Sequence, residues 1–165
     1  MIPVPDVTDI RVLIVDDLAV VRSGIRICIS AFDDLRLVGE AASGDEAVAL
    51  CRAAHPDVVL LDLEMPGLCS VAAMRQIRYQ CPHVQVIAMS SFQGESMLQN
   101  MLDNGAIGCL LKNISSDELA NTIRSAYQQP RQSREAQEPT FLPRPNMPCK
   151  GATCPWDWNC RTASE

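Results

Sequence analysis

Between residues 11 and 127 the chain alternates short, nearly unbroken apolar runs with longer amphipathic stretches, and no other feature restricts its fold so strongly. A brief apolar run without polar alternation suits a strand buried on both faces, whereas apolar residues at spacings of three and four suit a helix lying on a sheet. The runs place strands at 11–15, 37–41, 58–61, 84–89 and 108–111. The helix after the first strand presents Val21, Ile25, Cys28 and Phe32 on one face, which should meet the sheet. A second helix opens at Ser43-Gly44-Asp45-Glu46 and the last at Ser115-Ser116-Asp117-Glu118. Both read as capping boxes, in which serine and glutamate satisfy the free amides of the first turn. A third, 71–79, stops at Cys81-Pro82, and a fourth, 95–103, closes at Asn104-Gly105, where glycine can turn left-handed. With right-handed crossovers, the expected fold is α/β, a doubly wound five-stranded parallel sheet with helices on both faces.

A chain of 165 residues can bury one such domain and has little left over. The expected division is a short leader at 1–9, the α/β domain at 10–128 and a tail at 129–165. Six of the eleven prolines lie between Pro130 and Pro155, so the tail is read as disordered. It cannot build a three-helix DNA-binding unit when each interior proline costs a helix about 3 kcal/mol. The net charge of -6 offers no footprint for a polyanion, so no direct contact with nucleic acid is expected. No apolar run nears the roughly 18 residues that span a bilayer, and the first ten residues lack the basic start of a signal peptide. The expectation is a cytoplasmic protein with no membrane contact.

Of the eight cysteines, Cys28, Cys51, Cys69, Cys81 and Cys109 stand singly within ordinary secondary structure, where a thiol behaves as a small hydrophobe. Cys149, Cys154 and Cys160 lack the fourth cysteine or nearby histidine of a tetrahedral zinc site and are read as incidental. Trp156 and Trp158 beside Pro155 are read as part of the same terminus, not as a docking peptide.

In an open parallel sheet, ligands bind beyond the carboxyl ends of the strands. Here strand one runs into Asp16-Asp17, strand three into Asp62, strand four into Ser90 and strand five into Lys112. One such acidic residue is an ordinary solvated loop position; five matched residues at four strand ends make a site. Three clustered carboxylates raise one another's pKa unless a hard divalent cation shares their oxygens, and Mg2+ is the natural occupant. One carboxylate could then attack phosphorus while the cation and a lysine neutralise the equatorial oxygens. The residues point to phosphoryl transfer onto aspartate.

A family resemblance rests on Val15-Asp16-Asp17, Val21-Arg22-Ser23-Gly24-Ile25, Val38-Gly39-Glu40-Ala41, Pro56-Asp57-Val58-Val59-Leu60-Leu61-Asp62-Leu63-Glu64-Met65-Pro66-Gly67 and Gly105-Ala106-Ile107-Gly108-Cys109-Leu110-Leu111-Lys112. With these blocks in order, residues 10–127 resemble the receiver domain of two-component response regulators, most of all the NarL/LuxR-type branch, without its helix-turn-helix output domain. The resemblance implies a CheY-like (flavodoxin-like) sheet in the order 2-1-3-4-5. It implies Asp62 as phosphoacceptor, Asp17 as a direct Mg2+ ligand, Asp16 as a ligand through water and the backbone carbonyl of Glu64 as a further ligand. Ser90 and Lys112 would hold the phosphoryl oxygens. The implied partners are a sensor histidine kinase as donor, an output protein that the sequence does not identify, and optionally a second copy of the chain. No enzymatic activity is implied beyond self-phosphotransfer and slow autodephosphorylation.

Two departures stand out. Cys69-Ser70 occupies the place of the family's Asp-Gly, and Cys109 that of an aromatic which swings inward when the hydroxyl moves to the phosphate. A small thiol cannot fill or vacate that volume, so the transfer residues are complete while the hydroxyl-aromatic switch is not. Phe92 reads as a surface loop aromatic, not as a substitute ring. Alternatives are a pseudo-receiver recognised without phosphorylation and a LuxR-type regulator cut short after its linker, which Ser133-Arg134-Glu135-Ala136 faintly resembles. A haloacid-dehalogenase-like phosphatase ranks last, because its Asp-x-Asp is here Asp62-Leu63-Glu64.

Overall fold

The apolar runs lack polar alternation because the central strands they form are covered on both faces. In the computed structural model, which describes residues 9–65, 70–91, 99 and 102–130, they form β1 (Ile10–Val15), β2 (Leu35–Ala41), β3 (Val58–Asp62), β4 (Gln85–Ser90) and β5 (Gly108–Leu111). The helices described over their whole length are α1 (Ala19–Ser30), α2 (Gly44–Ala54), α3 (Ser70–Gln80) and α4 (Ser116–Gln128). All strand pairs are parallel, as the apolar runs predict, and the order β2-β1-β3-β4-β5 is the one the family resemblance implies.

Alternate residues of each central strand face opposite layers. Leu13, Val15, Val59, Leu61, Val86 and Ala88 pack with Ala47, Val48 and Cys51 of α2 and with Met74 and Ile77 of α3. On the other face, Val12, Ile14, Val58, Leu60, Ile87 and Met89 meet Ile29 of α1 and Leu119, Ala120 and Ile123 of α4. Each fully buried aliphatic side chain contributes about 1.5–3 kcal/mol. The sheet is thereby a stiff platform whose carboxyl edge carries the candidate residues.

The edges and helix ends differ in detail from the sequence reading. β2 begins two residues earlier than expected, and its pairing with β1 slips by one at Val38, so Gly39 stands opposite Leu13. A Cβ on Gly39 would lie 3.1 Å from a Leu13 methyl, which explains a residue without one. Only α4 closes its capping box, with Ser115 and Glu118 bonding reciprocally. At α2 the Ser43 hydroxyl accepts the Glu46 N–H, but Glu46 takes the N–H of Ala42, freed at the end of β2, instead of that of Ser43. His55 closes α2 in the left-handed region (φ 47), and the Arg11 guanidinium caps the carbonyls of Ala54 (2.6 Å) and His55 (3.2 Å).

The expected inner face of α1 is partly present: Ile25 and Cys28, and Phe32 beyond the helix end, pack against the core. Its most buried residue is Ile29, while Val20 and Ile27 on the far side are 77% and 70% exposed. The helix expected at 95–103 lies largely outside the described residues. Its end is seen, with Gly105 at φ 104 and its carbonyl held by Arg78 at 2.6 Å. Leader residues 1–8, the Pro66-Gly67 turn, Cys69, Phe92 and the tail from 131 onward are also outside the described residues. Among the described residues no helix is long and apolar enough to cross a membrane.

Candidate functional site

β1 and β3 are adjacent and end level with each other, so parallel pairing alone carries Asp16 and Asp62 to one edge of the sheet. Asp62 and Ser90 are the last residues of their strands, not the first beyond them, and both are buried. Carboxylate oxygens of Asp16, Asp17 and Asp62 all lie within 4.8 Å of one another. Asp16 is completely buried and Asp62 is 1% exposed, with Asp17 on the solvent side of the pair.

Lys112 reaches in from the end of β5. Its ammonium lies 2.8 Å from Asp16 Oδ2 and 2.9 Å from Asp62 Oδ1. Burial alone would lower its pKa, but hydrogen bonds to the two carboxylates and their charges outweigh this and hold it above the ordinary value. Burial likewise pushes the Asp62 carboxyl up; the Glu64 N–H and Lys112 oppose the rise, and the charge of Asp16 adds to it.

The other oxygens of the pair are unequal. Asp16 Oδ1 accepts the Leu18 N–H at 2.9 Å, forming the turn that starts α1 in place of a side-chain cap at Leu18. Among the described residues Asp62 Oδ2 is buried without a hydrogen-bond partner. A buried carboxylate oxygen left without a donor is costly, and one standing among two further carboxylates fits a hard cation. The donor set, all oxygen, suits Mg2+ better than a softer metal.

Ser90 supplies its carbonyl to the Lys112 N–H at 2.9 Å, which locks the end of β4 to the lysine. Glu64 donates its N–H to Asp62 Oδ1 at 3.0 Å. The structure therefore gathers all six candidates, Asp16, Asp17, Asp62, Glu64, Ser90 and Lys112, at the carboxyl edge.

Three further residues escaped the sequence reading. Ser70, at the position noted as a departure, donates its buried hydroxyl to the Asp62 carbonyl at 2.7 Å and so ties the start of α3 to the end of β3. Arg22 of α1 holds the Asp16 carbonyl at 2.7 Å and pairs with Glu40 of β2. Ser91 bonds Glu64 twice, through its N–H (3.1 Å) and its hydroxyl (2.9 Å). Cys109 is half-buried beside the α2/α3 side of the core, and burial raises its thiol pKa.

Residues 12–124 match the family profile of the response regulator receiver domain. The chain is 37% identical to the response regulator UvrY of Escherichia coli over 118 residues, covering 72% of this chain and 54% of that protein. It is 34% identical to the response regulator protein VraR of Staphylococcus epidermidis over 119 residues, covering 72% and 57%. It thus spans little more than half the length of these curated relatives. Among solved structures, the signal receiver domain of a response regulator NarL from Mycobacterium tuberculosis superposes with a TM-score of 0.69 at 29% identity, covering 72% of this chain and 96% of that one. The response regulator domain of Thermotoga maritima CheB gives 0.67 at 34% identity, covering 74% and 98%.

Proposed function

The chain belongs to the response-regulator receiver family of two-component systems, and on that premise we propose that Asp62 accepts a phosphoryl group from a sensor histidine kinase with Mg2+ bound beside it. The observation that carries this reading is the buried Asp62 Oδ2, without a hydrogen-bond partner among the described residues, next to the oxygens of Asp16 and Asp17. Asp17 and Asp62 would hold the cation directly, Asp16 through water, and Glu64 through its backbone carbonyl. Bound there, Mg2+ supplies positive charge to the phosphoryl oxygens as the transfer proceeds.

The chain's own groups do the rest. An oxygen of the Asp62 carboxylate attacks phosphorus, the bond from phosphorus to the kinase histidine nitrogen breaks, and the imidazole leaves with the bonding pair. Lys112 keeps one Asp62 oxygen fixed before transfer and offers its ammonium to the arriving phosphoryl oxygens. The Ser90 hydroxyl donates to another of those oxygens. Residues 10–128 are proposed as the unit that performs this, signalling through a protein surface to an output partner.

The test is intact mass after incubation with Mg2+ and a small acyl phosphate. Wild type should gain one base-labile phosphoryl group, and Asp62→Asn should gain none. The pseudo-receiver reading, favoured by Cys109, requires that the wild type also gain none.

A further inference from the structure

Glu64 brings a second negative charge to the mouth of the site. Its N–H is bonded to the acceptor carboxylate at 3.0 Å, so its backbone stands against Asp62, and the side chain is exposed. Left free, a carboxylate on two methylenes could sweep across the open side of Asp62, where an anionic phosphodonor must arrive. Both of its oxygens are instead committed to one residue. Oε1 accepts the Ser91 N–H at 3.1 Å and Oε2 accepts the Ser91 hydroxyl at 2.9 Å. Two charge-assisted bonds from a single residue fix direction as well as position. Ser91 directly follows Ser90, whose carbonyl is bonded to the Lys112 N–H, so the anchor is itself secured to β5.

We propose that Ser91 is a positioning residue for phosphoryl transfer: by clamping the Glu64 carboxylate it keeps that charge off the path of the anionic donor and ties the ends of β3 and β4 together. This rests on the reading of Asp62 as phosphoacceptor. With acetyl phosphate as donor, the Asp62 carboxylate oxygen bonds to phosphorus, the phosphorus–oxygen bond to the acetyl group breaks, and acetate leaves with the electron pair. No proton is taken up.

The experiment measures the second-order rate constant for phosphorylation by acetyl phosphate at saturating Mg2+ in wild type, S91A, S91T, E64Q and the E64Q/S91A double variant. S91A should be slower by about fivefold, the size expected when one poorly screened charge is released near an anion at a partly exposed site. The loss should lie in the donor concentration needed for half-maximal rate, not in the maximal rate. It should shrink as ionic strength rises. S91T, which keeps both donors, should restore the rate, and E64Q/S91A should match E64Q alone because the charge is gone. An S91A rate equal to wild type, or a deficit that persists in the E64Q background, would overturn the clamp while leaving the acceptor assignment intact. Failure of the wild type itself to gain a phosphoryl group would overturn both.

Discussion

Among the described residues, Lys112 is the cation that contacts both buried carboxylates of the site, and its removal leaves Asp16 Oδ2 without the ammonium beside it. Breaking a buried ion pair by deleting one partner strands the other charge, typically at about 3–5 kcal/mol. Lys112→Met should therefore lower the metal-free unfolding free energy by about 3 kcal/mol. Urea denaturation in EDTA measures this, and repeating it in Mg2+ should recover part of the loss, because a divalent cation supplies the missing charge. An equal loss in both buffers would count against a cation site. Asp17 tests the same site from the opposite side. A ligand held only by the native state stabilises by about 2.7 kcal/mol at a hundred times its Kd, so Mg2+ should raise the unfolding midpoint of wild type and raise that of Asp17→Asn far less.

The elements show what a sequence makes legible. The strands were readable because covered faces leave no competing period, and once their parallel order is drawn, Asp16, Asp62, Ser90 and Lys112 fall together by topology. Ser70 and Ser91 were not readable. A single serine at the end of an element carries no periodic signal, and their bonds reach 8 and 27 residues back along the chain. The two Ser-x-x-Glu segments show the same limit, since the neighbouring Ala42 N–H, not the motif, decides where Glu46 turns. Helix docking shows it again. Arg124 of α4 forms a two-pronged bond to Asp34, at 2.7 and 2.8 Å, and lies over the Phe32 ring. The Arg124 hydrogen bond holds the Asp34 carboxyl below its ordinary value of 3.8. A depressed folded-state pKa adds stability above the unfolded value and loses it as pH falls through the folded one. Wild type should be more stable than Asp34→Asn from neutral pH down to about 4, and the gap should close at lower pH in thermal unfolding scans. Within the opposite layer, burial and the nearby Cys81 push the Cys51 thiol up to about 12. Alkylation of the native protein at pH 8, mapped by peptide mass, should spare Cys51 while labelling the half-buried Cys28.

For the whole molecule, the proposed phosphorylation of Asp62 has to be transmitted from a buried strand end to a surface. The central strands are sealed on both faces, whereas three of the four residues of β5, at the sheet edge, are only partly buried. Among the described residues a Cβ built on Gly108 would meet nothing within 4 Å, and Cys109, paired with Ala88 of β4, is only half-buried. The family resemblance implies an aromatic at this place that swings inward on transfer; a thiol has too little volume to take that part. A ligand shifts a conformational equilibrium only by its differential affinity for the two states, so removing one coupled side chain should weaken the response along β5 and α4. Amide exchange with and without beryllofluoride and Mg2+, in wild type and Cys109→Tyr, measures this directly. Wild type should show protection gained around Ser90 and Ser91 with little change in β5 and α4, and Cys109→Tyr should extend the change into both. Large, equal changes in the two proteins would mean that the Ser90 carbonyl bond to Lys112 carries the coupling without any help from position 109.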